Sequence, residues 1–303
     1  MIELIGVPFD GFGRPGNQAR ASTALRAAGL ASAFGSCEVH DTGDLELPPP
    51  STERGVFLNE PALVAMAAQL HDRVRDSVAA GRFPFVFGGD CSGLLGIVPA
   101  LPGVGLVFLD GHEDTMPLDV SEDGEAANAE IGLLLGLTGG LLTGPRAASA
   151  VDPPVPAHPL ARARSALAPE RLAMIGPRDG DWRRRFNVGS VGDLGVWLRR
   201  ADQVADRPAD TGREAVQHLS RTADRWWLHV DLDVLDPVVF PAQGLPGVPD
   251  DPGGLTWDEL TGVVSAALAY GGCAGASMTI YDPDQDPDGT CAHQILQAIS
   301  RVT

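Results

Sequence analysis

No stretch of about eighteen apolar residues occurs in the sequence, so nothing in it has the length of a membrane-spanning helix. Positive charge is scarce: 22 lysines and arginines stand against 40 aspartates and glutamates, for a formal net charge of −18. Such a surface repels a phosphate backbone, which argues against nucleic acid as a partner. The same field favours a metal ion or a cationic substrate, although solubility alone also accounts for it. No CxxC pair is present. Cys37, Cys91, Cys273 and Cys291 are far apart and read as reduced thiols of a cytoplasmic protein. The opening residues Met1 to Gly6 run straight into a strand-like pattern, without the charged segment and cleavage site of a signal peptide. No internal repeat and no break in composition divides the chain. Residues 1–303 are therefore expected to form one domain, a length ordinary for a single large α/β unit.

Apolar residues make up 44% of the chain, enough for a buried core. Short apolar runs alternate with longer segments of helical period. Strands are expected at Ile2–Val7, Phe83–Phe87, Gly105–Leu109, Arg171–Ile175, Trp226–Asp231 and Ala274–Tyr281. Helices are expected at Ala21–Ala33, Pro61–Ala80, Asn128–Leu137, Asp193–Arg200, Arg213–Ala223, Trp257–Tyr270 and Cys291–Val302. That alternation predicts a parallel sheet covered by helices on both faces. Two stretches, Thr138–Pro159 and Pro237–Gly254, are rich in proline and glycine and read as loops. The second follows a strand end, where open α/β sheets place their ligands, and is a candidate wall of a site.

Three apolar runs end in potential ligands. Val107-Phe108-Leu109 is followed by Asp110-Gly111-His112-Glu113-Asp114, Trp227 to Val230 by Asp231-Leu232-Asp233, and Phe87 by Gly88-Gly89-Asp90-Cys91-Ser92. In extended chain, alternate residues share a face, so Asp110, His112 and Asp114 would converge while Glu113 points away. Crowded carboxylates repel one another and resist desolvation, and a divalent cation removes that conflict. Carboxylate oxygens with one imidazole suit Mn²⁺, Mg²⁺, Fe²⁺ or Zn²⁺. The alternative is a set of solvated loop acids or helix caps, which a lone DxD would favour but two clusters closing apolar runs do not. His229 shares parity with Asp231 but lies deeper in its strand, as a core histidine does.

These motifs resemble those of the ureohydrolase superfamily, which contains arginase, agmatinase, formimidoylglutamase and guanidinobutyrase. Its members carry GGDHS, DAHxD and DxDxxDP in this order; here they read GGDCS (Gly88–Ser92), DGHED (Asp110–Asp114) and DLDVLDP (Asp231–Pro237). The likeness extends to Ile5–Phe9 with Ala24–Arg26, to Ile175–Asp179, to Gly253–Thr256 and to Ile280–Asp286, and so spans nearly the whole chain. It implies an arginase-like three-layer α/β/α sandwich with a parallel sheet of about eight strands. It further implies a small-molecule substrate, a homo-oligomer and a Mn²⁺ centre of two ions that activates water against a planar carbon. Carried over by position, Asp110 and Asp231 bridge the ions, His112 and Asp233 hold one, and Asp114 holds the other and passes a proton to the leaving nitrogen.

The sequence also departs from that pattern. The histidine of GGDHS is Cys91, which leaves three readings open: a ligand to a softer ion such as Zn²⁺ or Fe²⁺, a weakened site with one ion, or a small buried residue. The shuttle histidine of an HGM segment falls near Ala127-Asn128-Ala129, with no imidazole there. The glutamate that holds a guanidinium falls at Ile280, with Thr279 and Asp282 nearby but out of register. Met116 and Asp123 stand where polar contacts to the substrate's amino-acid end are expected, and Arg183 and Arg184 follow the Arg178–Asp181 turn. A guanidinium without a carboxylate partner costs several kcal/mol, so arginine is not the expected substrate. Either another acid (Glu113, Asp119, Glu125 or Glu130) holds a cation, or the substrate is neutral. Asp119–Glu130 is the candidate replacement wall, its alternative being a solvated loop. Glu125, Asn128 and Thr279 are taken as substrate-binding candidates, Asp114 as catalytic, and Cys91, Asp110, His112, Asp114, Asp231 and Asp233 as metal ligands. The expected activity is metal-dependent hydrolysis of a linear C–N bond; the alternative is a binding or scaffold protein of the same fold that has lost catalysis.

Overall fold

A computed structural model of the chain describes residues 1–118, 124–143, 157–244 and 252–303. Asp119, Asp123 and the middles of the two irregular stretches lie outside the described residues. The strands are β1 Ile2–Gly6, β2 Val39–Asp44, β3 Phe83–Phe87, β4 Gly105–Leu109, β5 Leu172–Gly176, β6 Trp197–Arg200, β7 Trp226–Asp231 and β8 Cys273–Thr279. They form one eight-stranded sheet in the order β2-β1-β3-β8-β7-β4-β5-β6, and every pairing is parallel. The helices are α1 Ala21–Ala28, α2 Glu60–Ala79, α3 Leu94–Ala100, α4 Glu130–Leu134, α5 Gly180–Arg185, α6 Ala201–Val204, α7 Pro208–Leu219, α8 Trp257–Tyr270 and α9 Thr290–Val302.

Alternate strand residues feed two separate cores, which makes the three layers. Val107 and Leu109 of β4 join a cluster with α1, α7, α8 and α9. Leu106 and Phe108, one residue out of phase, join the opposite cluster with α2, α3 and α4. The predicted α/β sandwich with a parallel sheet of about eight strands is thus the observed fold.

Two strands escaped the sequence reading, and both are at sheet edges. β2 reads VHDTGD and is nowhere fully buried, so it lacks the apolar signal of an inner strand. β6 falls inside the expected helix Asp193–Arg200. The chain there makes a 3₁₀ turn at Val191–Leu194 and then pairs with β5 along Trp197–Arg200, sheet pairing prevailing over a weak helical period. The expected helix Ala21–Ala33 ends at Ala28 and resumes as a 3₁₀ turn, and Asn128–Leu137 shortens to α4. Among the described residues, no helix is long and apolar enough to cross a membrane.

Because all strands are parallel, their carboxyl ends share one edge of the sheet, where open α/β sheets hold ligands. The order β3-β8-β7-β4 then sets Cys91, Thr279, Asp231 and Asp110 side by side at that edge. The register is direct: Asp231 pairs with Thr279, and Leu109 with Val230 one step before the two aspartates. Gly88 and Gly89 make the turn out of β3 at φ of 88° and 69°; a Cβ on Gly88 would lie 2.9 Å from the carbonyl oxygen of Val7, so the chain turns in only as glycine.

Candidate metal centre

The same local device ends β4 and β7. Asp110 Oδ1 accepts the backbone N–H of His112 at 2.7 Å, and Asp231 Oδ1 accepts that of Asp233 at 2.8 Å. Each is a carboxylate capping the amide two residues on, a turn that aspartate favours. One oxygen of each is thereby fixed, and the other faces Cys91: Asp110 Oδ2 lies 3.7 Å from its Sγ, and Asp231 Oδ2 accepts a short bond from it. Convergence of Asp110, His112 and Asp114 does not come from an extended strand, as the spacing predicts. The strand stops at Leu109 and Asp114 sits in left-handed backbone at φ 44°, which turns its carboxyl back toward the cluster.

Among the described residues donor atoms gather in three groups, two of which share no member. Asp110, His112 and Asp233 have donor atoms within 4.8 Å of one another, and so do Cys91, Asp114 and Glu130. In the first group, His112 Nδ1 is 3.0 Å from Asp233 Oδ2, while Asp233 Oδ1 accepts the Gly111 N–H at 2.9 Å. Glu130 is not among the metal-ligand candidates of the sequence, where it appears only as a possible holder of a cation. Its signal was an acid heading EIGLL, a short helix with no other polar residue. Asp231 lies between the groups, bonded to Cys91. Thr279 Oγ1 is 3.4 Å from Cys91 Sγ, buried beneath it. His229 is a buried core histidine by its contacts: it stacks on Phe108 and bonds Ser277 at 2.7 Å, although a ring nitrogen also lies within 4.8 Å of the Cys91 and Asp110 donors. Burial lowers its pKa to about 3, so it is neutral at physiological pH.

Burial and neighbouring acids raise the pKa values of Asp110, Asp114 and Glu130 well above the usual carboxylate range. Asp231 is raised in the same way, by burial and then by the charge of Asp233. Burial and the adjacent aspartates also push the Cys91 thiol up. Asp233 is the exception. Burial opposes its charge too, but His112, the Gly111 N–H and Arg178 together hold it down at about 2. His112 answers in kind: burial opposes its charge, and Asp233 and Asp110 outweigh that and raise it well above the ordinary imidazole range. Without a cation, then, most of these acids cannot ionise together.

A cavity of about 300 Å³ opens beside the cluster, lined by His112, Asp114, Thr115, Met116, Asn128, Asp179, Trp182 and Arg183. Arg183 is a strut for this wall: it donates to Thr115 at 2.6 Å and to the Gly189 carbonyl, and it faces Asp179 at 3.4 Å and Glu113 at 3.6 Å. Glu113 points away from the cluster and accepts from Ser190 and the Val191 N–H. Of the three substrate-binding candidates, Asn128 lines the cavity. Glu125 lies behind it, accepting from Asn128 at 3.4 Å, and Thr279 is shut off below Cys91.

The donor set fits a divalent cation. Asp110, Asp114, Glu130 and Asp233 converge with His112, Asp231 joins them through Cys91, and neither oxygen of buried Glu130 has a hydrogen-bond partner. Asp110, Asp231 and Asp233 would serve such an ion with His112 on one side; Asp114 and Glu130 stand on the other, beside Cys91. Oxygen donors in this majority suit a hard ion such as Mn²⁺ better than a soft one.

The family model for the arginase family matches residues 1–302. An arginase of Brevibacillus brevis is 29% identical over 269 residues, covering 85% of this chain and 82% of its own length. A crystal structure of arginase from Bacillus subtilis superposes with a TM-score of 0.79 at 22% identity, covering 100% of this chain and 98% of the other. Proclavaminate amidino hydrolase from Streptomyces clavuligerus has a similar fold, with a TM-score of 0.66 at 19% identity over 100% of this chain and 92% of its own.

Proposed function

The chain belongs to the arginase family, and from that premise we propose that it is a divalent-metal-dependent hydrolase of a linear C–N bond in a small amidino, guanidino or amide compound other than arginine. Family membership supports a metal-dependent amidino hydrolase. The observation that carries the choice of substrate is a small buried cluster of Cys91, Ala127 and Ile280. Cys91 and Ile280 stand where the family resemblance expects a histidine ligand and the guanidinium-holding glutamate, and Ala127 opens the segment near which it expects the shuttle histidine. Their departures meet in space and make one apolar face beside the acids. A guanidinium set against it would lose its hydration and gain no carboxylate, at a cost of several kcal/mol. A neutral group, or a cation held from the Asn128 side of the cavity, meets no such penalty.

When bound, a divalent ion supplies Lewis-acid polarisation and a water acidified toward neutral pH. The chain's own residues do the rest. Asp110 and Asp231, each pinned through one oxygen, would hold metal with the other. His112 and Asp233 orient one another as a pair. Asp114 borders the cavity, and its raised pKa supports a role in which its carboxyl holds a proton and hands it to a leaving nitrogen. Asn128 and Thr115 line the cavity and offer polar contacts that orient a substrate there.

Metal analysis of the purified protein tests this, followed by a screen of amidino, guanidino, ureido and amide compounds for released urea or ammonia after loading with Mn²⁺, Fe²⁺ or Zn²⁺. Bound metal and turnover of a compound other than arginine are expected. A protein that retains no divalent ion and hydrolyses none of these would instead be a scaffold of this fold, and the proposal would be lost.

A further inference from the structure

Glu130 stands at the start of α4, completely shielded from solvent, and neither of its oxygens receives a hydrogen bond from an N–H or hydroxyl. What its carboxyl faces is the Asp114 carboxyl and the Cys91 sulfur, with donor atoms all within 4.8 Å. An unpartnered buried polar group costs about 1–3 kcal/mol, more when charged. Setting it against another acid compounds that cost, so the position is wasteful unless something positive sits between them.

The backbone holds the pair in place. Gly132 of α4 donates to the carbonyl of Asp114 at 3.1 Å, and Met116 donates to the carbonyl of Asn128 at 2.8 Å. These two bonds tie the loop carrying Asp114 to the turn carrying Glu130. The approach is close: a Cβ on Gly132 would lie 3.2 Å from the Thr115 Cα. Ile131, Leu133 and Leu134 are buried in the core, which fixes the helix from its other side. Both carboxylates are thus preorganised, as a ligand pair must be.

We propose that Glu130 is a direct ligand of the ion on the Asp114 side, taking up the coordination that the histidine-to-cysteine change at Cys91 gives away. The proposal rests on the metal-centre reading above. It makes the exchange of an imidazole for a sulfur at Cys91 and the presence of an acid at position 130 two parts of one rearranged site. The resulting ion is held mainly by carboxylate oxygens, which favours Mn²⁺ or another hard divalent ion over Zn²⁺.

Equilibrium dialysis of the whole protein against graded Mn²⁺, with bound metal counted by mass spectrometry, tests it on Glu130→Gln and Glu130→Asp. Wild-type protein is expected to bind two ions per chain. Glu130→Gln is expected to weaken one of them at least about tenfold, the lower end of the effect of disturbing even an outer partner, and to leave the other unchanged. Glu130→Asp, a shorter carboxylate, is expected to fall between. Melting temperature separates a ligand from a structural acid. Metal-free Glu130→Gln should melt at or above wild type, while its gain on adding Mn²⁺ should be smaller. Equal loss of melting temperature with and without metal, or two ions bound at unchanged affinity in Glu130→Gln, overturns the role of Glu130 and leaves the metal centre standing. Wild-type protein that binds no ion overturns both.

Discussion

The two sides of the acidic cluster are built from similar residues and behave in opposite ways. On the His112 side the charges are matched: His112 and Asp233 lie 3.0 Å apart, Gly111 donates to Asp233, and the carboxylate stays ionised with its pKa held near 2. On the Glu130 side two acids, Asp114 and Glu130, face each other; burial pushes both up, the charge of Asp110 raises Asp114 further, and the charge of Asp114 raises Glu130 further. The first side is satisfied by the protein itself, whereas the second is an electrostatic debt left to a ligand. A side that needs no ion to be stable and a side that does should respond to mutation with opposite signs.

The largest effect is expected where the two sides join. Asp231→Ala removes the carboxylate between the groups and should abolish the binding of both ions; unchanged metal content by mass spectrometry would refute its bridging position. Next comes the contrast itself. In metal-free protein, Asp233→Asn breaks a partly buried ion pair and should lower stability by roughly 1–3 kcal/mol, between the exposed and fully buried cases. Asp114→Asn relieves repulsion and should leave metal-free stability the same or higher. Denaturant titration of the two variants reads the signs directly, and a loss of stability in both would mean that the sides do not differ.

The smallest effect is a slope with pH. Asp110, Asp114, Glu130 and Asp231 have folded-state pKa values above their ordinary ones. The folded metal-free protein therefore binds more protons than the unfolded chain once pH passes the ordinary carboxylate range, and stability falls as pH rises. His112, also raised, adds to the fall above its ordinary range. His229, lowered to about 3, opposes it below about pH 6.5, but as one group against four. Metal-free protein should thus melt lower at pH 8 than at pH 5. Metal affinity should rise over the same interval, because binding displaces those protons. A metal-free melting temperature that climbs from pH 5 to pH 8 would contradict the charge assignment.

Six of the eight strands were legible as apolar runs, because an inner strand of a parallel sheet is buried on both faces. The two missed strands, β2 and β6, are the edges, where one side is open and the apolar signal fades. In the cluster, Asp110, His112, Asp231 and Asp233 were legible for a local reason, since each follows the end of an apolar run. Asp114 was picked for a different geometry from the one it has, because alternation predicts an extended segment and the chain instead turns through left-handed backbone. Thr279 stands beside Ile280 in sequence and Glu125 is an acid of the candidate replacement wall, yet neither lines the cavity.

The sequence alone determined the kinds of donor atom and the strand ends that present them, because both are set by residues within a few positions of one another. It could not bring Cys91 against Thr279, 188 positions away, or make one apolar face of Cys91, Ala127 and Ile280. Nor could it set Glu130 against Asp114. Those neighbours exist only because parallel strands are laid in the order β3-β8-β7-β4 and α4 packs back onto the loop after β4. Contacts between distant segments follow strand order and packing, which no local pattern encodes, and they decide how the two sides of the cluster differ.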